Sequence, residues 1–174
     1  IAWTPMFADR GFLAPLENQI PRAELKDYLD APLNYNKYAG RLWGIPQVTD
    51  CLALLYNKKI LAAAGIAVPQ TMDELLAAAK KLTDPAKGKY GIFIPADSYF
   101  IQPFIWAFGG GLISNDKKLL ITQEGSVKGL QFFLQLKKAA MPGTVNIATQ
   151  NDERDRGFKT GKYAMVFQGP WATA

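Results

Sequence analysis

The chain has 174 residues, of which 49% are hydrophobic and 20% are charged, which is the balance of an ordinary globular protein. Its apolar runs fall short of the roughly 20 residues that a membrane-spanning helix needs. The net charge of +5 is spread over lysine pairs along the chain, and without a concentrated basic patch we expect no nucleic-acid partner. With no histidine and one cysteine, the chain offers no Ser-His or Cys-His catalytic pair, and we expect no metal site and no cofactor.

The first half of the chain predicts a helix from Pro5, a polar surface segment over 21–40, and then two strands. These strands, over 42–46 and 51–56, flank a polar bend at 47–50. Cys51 opens the apolar run CLALLY, so we expect it to be buried as a small core residue.

The clearest helix signals follow this second strand. Asn57 is a good N-cap and Gly65 a good left-handed end for a short helix. Thr71 and Glu74 have the spacing of a capping box, so a second helix should begin there. Its apolar residues recur on one helical face; they are Met72, Leu75, Leu76, Ala79 and Leu82.

The second half continues to alternate between strands and helices. The segment KYGIFIPA predicts a buried strand, SYFIQPFIWAFGGG a helix, and 117–121 an edge strand. Thr122 should open a longer helix, and Asn151 another before the final strand over 163–167. On the longer helix the face predicted to be packed consists of Val127, Leu130, Phe133 and Leu134. This alternation predicts an α/β fold.

Aromatic residues beside turns are the main functional signal in the sequence. Trp171 follows a Gly-Pro corner at the end of the final strand, where ligands of open α/β sheets bind. Its ring could be a stacking platform for a sugar. Trp3, Tyr99 and Trp106 also lie near element ends, although large aromatic side chains more often fill cores.

Two carboxylates could complete such a site by accepting hydrogen bonds from sugar hydroxyls. Asp50 and Asp97 both lie where a strand passes into a loop. Asp97 also stands directly before a helix, so a simple N-cap is an equal alternative.

Enzyme templates match poorly. The chain contains no phosphate-binding loop, Ser114 interrupts the dinucleotide pattern, and no serine lies in a nucleophile elbow. A glycosidase or glycosyl transferase that works through paired carboxylates stays open, as does an interaction module built on Tyr28, Tyr35 and Tyr38.

Two stretches carry a family resemblance, GIPQVTDCLALLYNKKILAAAGIAVPQTMDELLAAAKKL and FKTGKYAMVFQGPWA. They resemble family 1 extracellular solute-binding proteins of carbohydrate ABC transporters, the maltose-binding-protein-like group. The resemblance implies a type II periplasmic-binding-protein-like fold with two lobes. Residues 1–50 would be part of the N-terminal lobe with the first crossover, and 51–174 an incomplete C-terminal lobe, so that the chain is an internal piece of a longer protein.

The same resemblance implies a function and a set of ligand contacts. Asp50 matches an acidic contact, Tyr99 an aromatic one, and Trp171 the stacking tryptophan of the G-P-W motif. Trp3 falls near a family tryptophan, but Thr4-Pro5 replaces the polar pair that often follows it. We therefore expect a non-enzymatic receptor, monomeric when complete, that captures a sugar or oligosaccharide and delivers it to a membrane permease.

The implied location is the periplasm or the outer face of the cytoplasmic membrane. No signal peptide pattern opens the sequence, so the targeting segment would lie outside it, and a lipid anchor is one option.

Overall fold

A computed structural model describes residues 3–114 and 116–172. The chain divides into two compact units, Ile1–Cys51 and Leu52–Ala174. The expected lobe boundary, between 50 and 51, lies next to this division, and the assignment of the units to lobes stays a prediction.

The first unit contains two short helices and a small hairpin. The helices are α1 (Thr4–Asp9) and α2 (Asp30–Tyr35), and the strands are β1 (Lys37–Tyr38) and β2 (Arg41–Leu42). The hairpin turn has positive φ angles at Ala39 and Gly40, as a tight two-residue turn requires. The predicted strand over 42–46 is therefore wrong beyond Leu42, because its partner strand has only two residues.

The second unit alternates helices with strands around one sheet. Its helices are α3 (Lys58–Ala63), α4 (Met72–Lys81), α5 (Ser98–Ala107), α6 (Glu124–Ala140) and α7 (Gln150–Lys159). Its strands are β3 (Ala53–Tyr56), β4 (Tyr90–Phe93) and β5 (Tyr163–Gln168). Short 3₁₀ turns cover Pro85–Lys87, Ile147–Thr149 and Pro170–Ala172. The predicted α/β class is confirmed.

The last strand is the centre of this sheet. The order is β3-β5-β4, with β5 antiparallel to β3 and parallel to β4. All residues of β5 are buried, as a strand covered on both faces must be. Helices α5, α6 and α7 connect β4 to β5, as parallel pairing requires.

The two helix starts predicted from local signals are confirmed. Asn57 Oδ1 accepts hydrogen bonds from the backbone N–H groups of Lys59 and Ile60, both at 3.1 Å, and Gly65 has a φ of 62°. Thr71 Oγ1 accepts from Glu74 N at 3.2 Å. The Glu74 carboxylate reaches back to the N–H group of Gln70 at 2.7 Å, one residue earlier than in the standard box.

The predicted packing face of α6 is confirmed at Phe133, which is buried, and is wrong at its other three residues. Val127, Leu130 and Leu134 are exposed. The buried residues are Ser126, Gly129, Phe132, Phe133, Leu136 and Ala140. The reason is a close approach to α5, because a Cβ added at Gly129 would lie 2.5 Å from the carbonyl oxygen of Phe104. Small residues set this contact, and a pattern of large apolar side chains does not detect them.

Two further expectations fail. Cys51 is exposed, because burial alternates along this segment and leaves Cys51 and Ala53 on the open side while Leu52 and Leu54 are half-buried. The edge strand over 117–121 is reduced to a single bridge between Ile113 and Leu119. Lys117 has a φ of 62°, which a continuous strand does not allow.

Candidate functional site

Two aromatic rings lie close together at one edge of the sheet in the second unit. Trp171 follows β5, and Tyr99 lies in the first turn of α5 after β4. Since β4 and β5 are parallel, both residues lie beyond the carboxyl ends of strands, at the same edge. Their ring centroids are 6.4 Å apart with an angle of 40° between the planes. We call these two residues the ring pair.

The ring pair is accessible to solvent. Trp171 is 47% exposed and Tyr99 is 42% exposed, unlike the aromatic residues of the core below them. Large aromatic rings are usually buried when they serve only the fold, so a half-exposed pair at a sheet edge is a candidate binding surface.

The position of Trp171 depends on the glycine before the turn. A Cβ added at Gly169 would lie 2.2 Å from atoms of the indole, so the ring rests directly on the Gly169 backbone. Ala172 N donates to Gly169 O at 3.1 Å and closes the turn around the ring. The Gly-Pro corner seen in the sequence therefore places the indole directly against the Gly169 backbone.

Asp97 is the N-cap of α5. Its Oδ1 accepts a hydrogen bond from Tyr99 N at 2.8 Å, which confirms the capping alternative. The cap fixes the first turn of α5, and therefore the backbone that carries Tyr99. Asp97 is exposed, and a direct contact with a ligand stays a prediction.

Trp106 lies further along α5 and is 55% exposed. It comes seven residues after Tyr99, which places it on the same side of the helix about two turns away. Pro103 lies between them inside the helix. Trp106 therefore lies roughly 10 Å along the helix from Tyr99, which makes it an outer candidate.

The remaining predicted residues belong to the first unit. Trp3 precedes α1, is 60% exposed and contacts Phe7 with ring centroids 6.0 Å apart. Asp50 is exposed in the irregular segment before β3. Both stay predicted ligand contacts.

A polar cluster around the buried Arg154 of α7 lies against both segments that carry the ring pair, and the sequence did not predict it. Arg154 is only 3% exposed, and its Nε donates to Asp155 Oδ1 at 2.7 Å. Gln168 Nε2, from the end of β5, donates to the same oxygen at 2.7 Å. A buried arginine needs such partners. In the sequence, the adjacent Arg154 and Asp155 on the polar helix before the final strand were the signal that could have indicated this cluster.

A second polar cluster lies around Glu153. Its Oε1 accepts from Lys162 Nζ and from Tyr163 Oη, both at 2.6 Å, and its Oε2 accepts from Arg156 Nη2 at 2.8 Å. These hydrogen bonds, with that of Lys162 the strongest, lower the pKa of Glu153 to about 2. Burial and the Glu153 hydrogen bond raise the pKa of the Tyr163 phenol.

Two shallow cavities flank the segment after α6. One, of about 240 Å³, is lined in part by Glu153, Lys162 and Tyr163, and the other is about 190 Å³. Both are smaller than the roughly 300 Å³ at which typical ligand pockets begin, and neither is lined by the ring pair.

Within residues 3–114 and 116–172, no cluster of acidic or cysteine side chains could hold a metal ion. In the same described ranges, no helix is both long and apolar enough to cross a lipid bilayer.

The family model described as bacterial extracellular solute-binding protein matches residues 1–174, and the chain belongs to this family. The first unit, the second unit and every candidate residue therefore fall inside the matched region.

The chain is similar to one relative and to two solved structures whose ligands are named. The chain is 29% identical to the maltotriose-binding protein of Pyrococcus abyssi over 98% of its own length and 36% of that protein. Among solved structures it is similar to the GacH receptor of Streptomyces glaucescens, determined without ligand and with acarbose, at 31% identity and a TM-score of 0.84. It is also similar to the Thermus thermophilus maltotriose-binding protein bound with maltotriose, at 33% identity and a TM-score of 0.76.

These matches cover 98% of this chain but only 44% and 46% of the two solved chains. The chain thus spans less than half of the length of the relatives that it matches.

Proposed function

We propose that the intact protein is the substrate-binding component of an ABC importer and that its ligand is a sugar or an oligosaccharide. The observation that carries this proposal is the half-exposed ring pair of Tyr99 and Trp171 at the carboxyl edge of β4 and β5. Pyranose rings have apolar C–H faces that pack on aromatic rings, and their hydroxyls need polar partners. The named relatives that bind maltotriose and acarbose support the same ligand class.

In this proposal the aromatic residues stack against the sugar and the carboxylates bind its hydroxyl groups. Tyr99 and Trp171 stack against the sugar, and Trp106 forms an outer wall for a longer ligand. Asp97 and Asp50 accept hydrogen bonds from hydroxyls, and Trp3 adds a stacking surface. Each aromatic contact contributes on the order of 1 kcal/mol beyond its buried area, so useful affinity needs several of them.

The binding role also implies the partners and the place of the protein. A receptor of this family works outside the cytoplasmic membrane, and we propose a permease in that membrane as its protein partner. Residues 1–51 and 52–174 would belong to the two lobes, with the segment around Asp50 and Cys51 as one crossover. We expect the intact protein to be a monomer.

Calorimetric titration of the intact protein with mono- and oligosaccharides tests the proposal. Binding of at least one sugar, weakened by Trp171→Ala, is the expected result. Leu119→Ala is the matched control, because Leu119 is a strongly exposed apolar residue of the same unit that lies outside the ring pair. No heat from any sugar in the panel would contradict the proposal.

The family consists of binding proteins, and we propose that this one does not turn over its ligand. Asp97, one of the two acids that a carboxylate-pair enzyme would use, is engaged as a helix cap. After long incubation an oligosaccharide should be recovered at its original length, as chromatography can show. Shortened products would favour the glycosidase alternative.

A further inference from the structure

We propose that helix α7 braces the ring pair, with Arg154 and Asp155 as positioning residues that set the affinity for the ligand. The expected effect on sugar affinity rests on the proposed function, whereas the expected effect on the position of the two rings does not. The brace consists of two chains of contacts, which we call its arms. One arm leads from Arg154 to Tyr99 and the other from Asp155 to Trp171, and the two arms meet at Asp155 Oδ1.

The first arm runs from Arg154 to Tyr99 through a buried ring. The guanidinium carbon of Arg154 lies 5.2 Å from the centroid of the Phe100 ring. Phe100 in turn contacts Tyr99 edge to face, with centroids 5.5 Å apart and an angle of 85°. Arg154 therefore limits how far the Phe100 ring can move, and Phe100 in turn limits how far the Tyr99 ring can move.

A second contact of α7 holds the segment that leads into α5. Gln150 is buried, and its Oε1 accepts a hydrogen bond from Ala96 N at 2.8 Å. Gln150 and Arg154 are four residues apart and share one face of α7. One helix face thus fixes both the start of α5 and the ring beneath Tyr99.

The other arm runs from Asp155 to Trp171. Asp155 Oδ1 accepts from Gln168 Nε2 at 2.7 Å, and Gln168 Oε1 accepts from Gly169 N at 3.1 Å. Gln168 is buried, so its amide group is held at both ends. The Trp171 indole rests on Gly169. The hydrogen bonds from Asp155 through Gln168 to Gly169 therefore fix the position of the indole at the sheet edge.

The two arms are joined because Arg154 Nε donates to the same Asp155 oxygen that receives Gln168. Arg154 Nη1 also donates to Asn151 Oδ1 at 3.2 Å, which leaves the buried guanidinium well paired. In this ion pair the Arg154 side chain is buried while the Asp155 side chain is 44% exposed, and a pair that buries a charge often contributes no more stability than apolar residues of similar size. The two arms end at the exposed rings of Tyr99 and Trp171, which indicates that the ion pair helps to position these rings.

The test compares Asp155→Asn with Asp152→Asn in the intact protein. Asp152 lies on the same helix, is exposed and has no part in the brace, so it receives the same chemical change without the same contacts. Three quantities are measured: the dissociation constant for the best sugar, the midpoint of thermal unfolding, and the fluorine NMR spectrum with 5-fluorotryptophan. The Trp171 signal is assigned by its loss in Trp171→Phe.

We expect Asp155→Asn to weaken sugar binding about tenfold and to shift or broaden the Trp171 signal, while Asp152→Asn does neither. Arg154→Lys is the second variant, because it keeps the charge but loses the planar group over Phe100. It should reproduce both effects, and it decides the matter if Asp155→Asn does not fold.

An unchanged Trp171 signal together with an unchanged dissociation constant in folded Asp155→Asn and Arg154→Lys would overturn the brace. A lower unfolding midpoint with neither other effect would show a merely structural role and would overturn it as well. If the wild-type protein binds no sugar, the proposed function fails, and the Trp171 signal alone still decides whether the brace exists.

Discussion

The indole of Trp171 lies on the backbone of Gly169, where a Cβ atom would be 2.2 Å from the ring. This contact ties an exposed side chain to a single backbone position. It also gives the glycine of the Gly-Pro corner a role that does not depend on a positive φ angle.

Gly169→Ala should therefore displace the indole and weaken sugar binding by about 1–2 kcal/mol, because the added methyl group occupies the place of the ring. Calorimetry and tryptophan emission measure the two effects. Gly143→Ala is the control, since a Cβ there meets nothing within 4 Å. Equal affinity of the two variants would contradict the proposed position of Trp171 in the site.

Tyr99→Ala should lower sugar affinity by about 1 kcal/mol or more with little change in the free energy of unfolding. The phenol ring is partly exposed, so its removal opens no large cavity in the core. Tyr99→Phe should keep most of the affinity if stacking dominates. A loss as large as that of Tyr99→Ala would instead assign the effect to the hydroxyl.

The stability of the protein should depend on Glu153 in acid. The pKa of Glu153 is about 2 in the folded protein against about 4.5 in the free side chain, because Lys162, Tyr163 and Arg156 donate to the ionised carboxylate. A lowered folded-state pKa stabilises the protein fully above pH 4.5, and this stabilisation is lost as the pH falls toward 2.

Glu153→Gln should accordingly reduce the free energy of unfolding at pH 7 by about 2–3 kcal/mol and flatten its decrease in acid. Urea denaturation at a series of pH values measures this. Glu124→Gln serves as the comparison, because Glu124 forms an exposed ion pair with Lys128 on α6 that contributes little. Parallel acid profiles for wild type and Glu153→Gln would refute the expectation.

Thr71→Ala should destabilise the protein by about 1 kcal/mol, because the Thr71 hydroxyl caps α4. Thr122→Ala should have a much smaller effect. The sequence suggested that Thr122 opens the long helix, but α6 begins after Gln123, and Thr122 is exposed. Denaturant titrations of both variants provide the measurement, and similar losses would show that Thr122 has a stabilising role as well.

How much the sequence could predict depends on the range of each interaction. Asn57 and Thr71 act on backbone groups two or three residues away, so their caps can be recognised from spacing. The strand ends that carry Tyr99 and Trp171 could also be placed, because the alternation of strands and helices defines one sheet edge.

Other features depend on partners that are distant in the sequence. Gly129 packs against Phe104 of another helix, and this contact turns α6 so that Leu130 is exposed. Asp155 binds Gln168 across the bend between α7 and β5. Neither contact leaves a periodic or spaced signal, since each depends on the distance between two elements that only the folded chain defines.

The central position of β5 has a consequence for how the second unit folds. Ala53 pairs with Gln168 and Tyr90 with Tyr163, so both partners of β5 precede it by long stretches of chain. Helices α3 to α7 can form from local contacts, but closing these long loops is slow. During synthesis on the ribosome, we expect the helices to form before the sheet does. The sheet can form only when β5 emerges and inserts between β3 and β4, which were synthesised much earlier.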